Sequence, residues 1–147
     1  MREELVTIET AKLAKEKGFD WECQCSYNTN NSCEKIELCI AGDFIGRKYF
    51  NIEDVINYED IDIKGNRYKS YLAPSQSILQ KWLREKHNII ISINPECEFY
   101  VYDNIVKNNF KYDIIIHNNK KMINNDMEGN TYEEALEEGL KYALKSI

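Results

Sequence analysis

The sequence predicts an α+β domain in which a mostly antiparallel sheet carries two or three amphipathic helices on one face. Three observations lead there. Residues 131–147, "TYEEALEEGLKYALKSI", keep apolar side chains on a helical period for about four turns. Residues 75–87 carry a second apolar stripe, and between and around these segments lie short runs rich in β-branched and aromatic residues, separated by turn formers. Two helices that are each apolar on one side need a shared apolar surface, and the isoleucine-rich runs supply it. At 147 residues the chain is long enough for one core, so a single domain spanning 1–147 is expected.

Taken in order, a helix is expected from Ile8 to Lys17, capped by Thr7, stopped by Gly18 and closed by Phe19 folding back over Ala14. "WECQCSYNTNNSCEKIELCIA" follows as a β-hairpin about "NTNNS". "NIEDVIN" makes a short helix capped by Asn51, with Asp54 three residues on to complete a weak capping box. "YEDIDI", the turn "KGN" and "RYKSYL" then form a second hairpin, in which Ile61 and Ile63 alternate with Asp60 and Asp62.

In the helix of residues 75–87, Pro74 suits the first turn and Ser75 or Ser77 the cap. Ile78, Leu79, Trp82 and Leu83 make its buried stripe, which leaves Lys81, Arg84 and Glu85 on a solvated flank. "NIIISI", "CEFYVYD" and "KYDIIIH" come next as a meander, with "NPE" as a turn and the first run as a central strand buried on both faces. The polar "HNNKKMINNDMEGN" is expected to be a mobile loop. The last helix opens with the capping box Thr131 and Glu134. Its apolar stripe is Tyr132, Ala135, Leu136, Leu140, Ala143, Leu144 and Ile147, its acids precede its lysines, and Glu137 stands four residues before Lys141. Gly139 falls on the stripe, where a missing side chain lets another backbone approach.

Composition narrows the classes of function. Hydrophobic residues at 43% and charged residues at 30% are ordinary for a folding, soluble chain. The longest apolar runs, Ile89 to Ile91 and Ile114 to Ile116, are far too short to span a bilayer. The opening "MREELVTIETAK" puts glutamates where a signal peptide needs basic residues, so a cytoplasmic location is expected. A net charge of −6 disfavours nucleic acid as a partner, because binding to phosphates rests on cations.

Four of the five cysteines crowd into Cys23, Cys25, Cys33 and Cys39. An odd total without a secretory signal disfavours disulfides. The spacings do not match the paired knuckles of structural zinc sites, so these residues are weak metal candidates and are expected to pack as small hydrophobes, with no cofactor implied.

Two arrangements carry possible chemistry. In "YEDIDIKG", Asp62 and Lys64 form a D-x-K pair, and Asp60 or Asp43 offers another carboxylate. A metal-dependent nuclease uses such a set to hold Mg²⁺ and activate water. An exposed hairpin face explains the same residues without catalysis. His87 and His117 have no spacing that links either to Cys97 as a catalytic base, and the phosphate-loop, dinucleotide and zinc-protease motifs are absent. Residues 75–93 invite comparison with a recognition helix and wing, in which Lys81, Arg84 and Lys86 would meet DNA. Against this, the supporting helix such a motif needs just before it is replaced by strand-like "RYKSYL".

The segments "EELVTIETAKLAKEKGFD", "APSQSILQKWLREKHNI" and "TYEEALEEGLKYALKSI", roughly a third of the chain, resemble shared blocks of a group of small proteins encoded by phages and prophages of Bacteroides-type gut bacteria. The resemblance implies a phage or prophage accessory protein in the host cytoplasm and transfers no catalytic or binding residue. Residues 41–70 are longer than the matching stretch of that group, which makes them the place for any added function. The expected function is therefore non-enzymatic binding of a protein or small ligand, in host takeover or counter-defence. A nuclease and a DNA-binding regulator are the alternatives.

Overall fold

A computed structural model describes residues 4–30, 33–44, 48–56, 68–102, 105–118 and 121–147. The fold is α+β, and every pairing among the described strands is antiparallel. The described strands form two sheets of three rather than one, and the chain divides into two compact units, Met1–Leu79 and Gln80–Ile147. The reason lies in β3 (Tyr68–Ala73), which pairs with β1 (Cys25–Asn30) and so closes a sheet of order β2-β1-β3 with β2 (Cys33–Ile40) before the isoleucine-rich strands begin.

In the first unit, α1 (Ile8–Glu16) begins and ends as its sequence dictates. The Thr7 side chain accepts from the Thr10 N–H, Gly18 takes φ +82°, and the Phe19 N–H donates to the Ala14 carbonyl at 2.9 Å. Thr10, Ala11 and Ala14 form its buried side, and Ala11 and Phe19 line a small void together with Ile52 and Leu72 of β3. After α2 (Ala41–Phe44), α3 (Ile52–Ile56) carries the reciprocal box expected of Asn51 and Asp54. The Asn51 N–H donates to Asp54 Oδ2 at 2.8 Å, and the Asp54 N–H to Asn51 Oδ1 at 3.0 Å. The first strand of the proposed second hairpin, with Asp60, Asp62 and Lys64, lies outside the described residues.

Helix α4 spans Gln76–His87. Its cap is Ser75, whose Oγ accepts from the Ile78 N–H, so Pro74 stands before the helix rather than in its first turn. Leu79, Trp82 and Leu83 are buried as their spacing requires, and Lys81, Arg84, Glu85 and Lys86 are exposed. Asn88 at φ +54° ends the helix in the left-handed region.

In the second unit, β4 (Ile90–Tyr102) runs on through Pro95, where a turn was expected, and pairs along its whole length with β5 (Ile105–Asn118). Pro95 is tolerated because β4 is an edge strand, where a missing N–H need not break the ladder. For the same reason β4 is not the doubly buried central strand expected. Ile91 is 4% exposed and its neighbour Ile90 is 51% exposed, which is one buried face and one open one. The stretch expected to be a mobile loop instead holds β6 (Lys121–Gly129), paired with β5 across a register shift between Asp113 and Ile115. Ladder hydrogen bonds need no apolar side chain, so a polar strand leaves little mark in a hydrophobicity pattern.

Helix α5 (Tyr132–Lys145) packs on this second sheet. Thr131 Oγ1 accepts from the Glu134 N–H at 3.1 Å, and Glu134 Oε2 reaches back to the Asn130 N–H. Ala135, Leu136, Leu140, Ala143 and Leu144 are buried, but Tyr132 is largely exposed and stacks edge-on against Tyr112. Lys141 pairs with Glu138 at 3.0 Å, and Glu137, four residues before Lys141, is buried. At Gly139 the close approach is by side chains rather than backbone. An ideal Cβ would lie 3.0 Å from a methyl of Ile114 and from one of Ile91.

Two stability predictions follow from this packing. Trp82, at 2% exposure, also meets His87 edge-on with centroids 4.6 Å apart, so Trp82→Ala should lower the unfolding free energy by about 3 to 5 kcal/mol in urea titration. At Gly129 an ideal Cβ would fall 2.5 Å from the backbone nitrogen of Ala135, whereas at Gly139 it meets two side-chain methyls at 3.0 Å and no backbone. Gly129→Ala should therefore destabilise by about 1 to 3 kcal/mol, and by more than Gly139→Ala, in the same assay.

Candidate functional site

The first sheet has two unlike faces, because β1 lies in its middle and fixes the parity of both neighbours. One face carries Ser26, Asn28, Cys39, Ser70 and Leu72. It is tied across all three strands by side chains, the Ser70 hydroxyl donating to Asn28 Oδ1 and the Asn28 amide to Cys39 Sγ. Leu72, Ser26 and Ser70 are buried on this side.

The opposite face carries Thr29, Tyr27 and Cys25 of β1, Ile36, Leu38 and Ile40 of β2, and Lys69, Tyr71 and Ala73 of β3. It is incompletely covered: Ile36, Leu38 and Ile40 are 50%, 46% and 42% exposed. One apolar side chain left in water is unremarkable, but three in a row on one strand make a patch that asks for a partner.

Over this face lies a groove of about 710 Å³. Its floor is Cys25, Tyr27, Leu38, Ile40 and Ala73, and one wall is the segment from Glu4 to Thr7. That segment is held in place by main-chain bonds, the Val6 N–H donating to the Pro74 carbonyl and the Gln76 N–H to the Glu4 carbonyl. The Tyr27 hydroxyl spans from floor to wall and donates to the Val6 carbonyl at 2.8 Å. Cys23, Gln24, Tyr49, Ser75 and Ile78 complete the lining. At the far flank of the face, the Lys12 and Lys15 ammoniums lie 5.7 and 5.0 Å from the Tyr71 ring centroid, and Lys15 also donates to the Ser70 carbonyl. Burial, and secondarily Glu16, push the Tyr71 phenol above its usual range.

The cysteine cluster of the sequence does not come together as one site. Cys25 faces Ile40 and Cys39 faces Ser26, so the two lie on opposite faces of the sheet. Cys23 precedes β1 and is bridged to Phe50 by two main-chain bonds of 3.0 and 2.7 Å. Cys23, Cys25 and Cys39 are thiols, and the side chain of Cys33 lies outside those described. Among the described residues, no three His, Cys, Asp or Glu side chains converge as a metal site would require. Burial first, and then Cys25, push the Cys23 thiol up to about 12. Cys39 is also raised, by burial and then by Glu37 and Cys25.

Lys81, Arg84 and Lys86 are each exposed on α4, but the helical period sets Lys86 well away from Lys81 and Arg84, and Lys81 meets Glu85 at 3.8 Å. The element immediately before α4 is the strand β3, as "RYKSYL" predicts, and the element after it is the long edge strand β4. Asp60, Asp62 and Lys64 lie outside the described residues. Sequence reasoning missed the groove. The alternation of Ile36, Leu38 and Ile40 with Lys35, Glu37 and Cys39 was its one legible signal, and it fits a strand buried on that face equally well. Comparison with protein-family models, with curated proteins and with solved structures finds no match to this chain.

The thiols should differ in reactivity. Thiolate is the reacting form, so site-resolved alkylation near pH 8 should modify Cys25 well before Cys23 in the folded protein. Cys23 also makes stability depend on pH. Below about pH 9 folded and unfolded chains both keep its proton. Above that the unfolded chain loses it while the folded chain holds it to about 12, so stability falls as pH rises through this window. Urea midpoints at pH 8 and pH 10 should show a smaller drop in Cys23→Ala than in the parent.

Proposed function

We propose that this chain is a non-enzymatic accessory protein of phage or prophage type, and that it acts by holding a small ligand in the groove of its first unit. The resemblance of its three sequence blocks supports the first part of this reading, and the groove carries the second. Ligand sites are typically concavities of about 300 to 1,000 Å³ with an apolar lining and a few convergent polar groups. The groove, at about 710 Å³, joins an apolar floor of Leu38, Ile40, Tyr27 and Ala73 to polar groups of Glu4, Thr7, Gln24 and Ser75.

Binding rather than catalysis is favoured by the chemistry of that lining. Its thiols, Cys23 and Cys25, have no histidine among the described lining residues to act as a base, and its carboxylate, Glu4, has no second carboxylate there. The exposed apolar row also gives a reason for the groove to be filled, since a ligand would remove Leu38 and Ile40 from water at about 25 cal/mol per Å².

The uncharged dye Nile red tests this reading. It should bind saturably with enhanced fluorescence, and the double change Leu38→Lys, Ile40→Lys should weaken that binding at least tenfold. Both side chains are already more than two-fifths exposed, so the melting temperature should move little. Equal dye binding by parent and variant would overturn the assignment of the groove.

A further inference from the structure

We infer that the outer edge of β2 docks a second copy of this chain, the two β2 strands pairing antiparallel about a two-fold axis at Leu38. The inference goes beyond the groove and does not depend on it.

The direction of the main-chain groups is the first support. The Ala41 N–H donates to the Gln24 carbonyl at 2.9 Å, on the same register that sets Ser26 opposite Cys39 and Asn28 opposite Glu37. Bonded and unbonded pairs alternate along an antiparallel ladder, so Glu37 and Cys39 turn their N–H and C=O groups to β1, whereas Ile36, Leu38 and Ile40 turn theirs outward. Among the described strands β2 lies at the edge of its sheet, and these three residues are 50%, 46% and 42% exposed. Outward main-chain groups and exposed apolar side chains thus fall on the same residues, which makes a template for another strand. The other edges are less suited. Along β3 the Ser70 carbonyl accepts from Lys15, and the Pro74 carbonyl just beyond it from the Val6 N–H. β4 carries Pro95, and β6 is the polar "KMINNDMEG".

The occupant follows from the pattern of the strand. Outward groups pair only with outward groups, so a two-fold axis can stand at Glu37, Leu38 or Cys39. An axis at Glu37 sets that carboxylate opposite its own copy, and an axis at Cys39 leaves Ile36 beyond the other strand, opposite Gly42 of α2. The axis at Leu38 sets Leu38 against Leu38, Ile36 against Ile40 and Glu37 against Cys39. All three apolar side chains of each copy are then matched on one face, and no like charges meet. The contact is confined to one strand edge, short of the roughly 800 Å² per partner of a stable interface, so association is weak, with a Kd on the order of 10 to 100 µM.

Sedimentation equilibrium from about 1 to 500 µM should show a reversible dimer, and Ile36→Lys should weaken it at least tenfold. Ile36 is half exposed and is not among the groove-lining residues, so this variant should keep the melting temperature of the parent. A second variant, Glu37→Cys, reads the register. Unbonded opposite residues lie about 4.5 Å apart at Cα, so oxidation with copper phenanthroline should give a covalent dimer in which position 37 of one copy is joined to Cys39 of the other. The same two positions within one chain are about 7 Å apart, too far for a disulfide. A monomer throughout the concentration range, a dimer that Ile36→Lys leaves intact, or a dimer without that cross-copy disulfide would overturn the inference. A disulfide joining position 37 to its own copy, or Cys39 to its own copy, would do so as well.

Discussion

The two ladders that flank β1 decide what the first unit presents to solvent. Pairing of Tyr27 with Leu38 on one side and Tyr71 on the other fixes the parity of three strands at once. A slip of one residue in the β1–β2 ladder would send Leu38 and Ile40 towards the side of Leu72 and bring Glu37 and Cys39 to the groove. The register is held on the covered side by polar links rather than by packing alone, through Ser70 to Asn28 and Asn28 to Cys39. Such directional contacts lose their geometry when strands slide, whereas apolar contacts can be re-formed. The open face thus owes its composition to hydrogen bonds made behind it.

The second unit solves a different problem with the same materials. Its sheet is covered by a helix whose contact depends on missing side chains. Gly139 leaves room for methyls of Ile91 and Ile114, and Gly129 lets the turn into α5 pass against the Ala135 backbone. Around these points Leu140 and Leu144 are fully buried, and each contributes about 1.5 to 3 kcal/mol through burial. The close seat of α5 is what makes that burial complete, because a helix held further off leaves voids that cannot be filled by water or side chain.

Much of the architecture was legible because its signals are local. Thr7, Gly18, Asn51 with Asp54, and Thr131 with Glu134 all act within a few residues of themselves, and each does what its chemistry implies. Trp82 and Leu83 follow from a period that the helix itself imposes. What escaped the sequence depends on partners far along the chain. The apolar run of β4 reads as central because Ile89 to Ile91 is continuous, but its place at an edge is decided by β5 and β6. The strand β6 is polar and gains its order from a ladder to β5 that no local pattern records. The groove is the least legible of all, since its floor, walls and mouth join residues 4 to 78 through pairing rather than spacing.

Gly129 has a further meaning for how this sequence can vary. Residues 121–128 form a polar strand with little compositional signature, so substitutions there leave few landmarks for aligning related chains. The glycine at its end is different, because any side chain would enter space held by the Ala135 backbone. Drift upstream is tolerated by a ladder made of main chain, and it meets a fixed point at this position. Among homologous chains, a glycine about two residues before the Thr-capped start of α5 is therefore the marker from which the strand can be found by counting back.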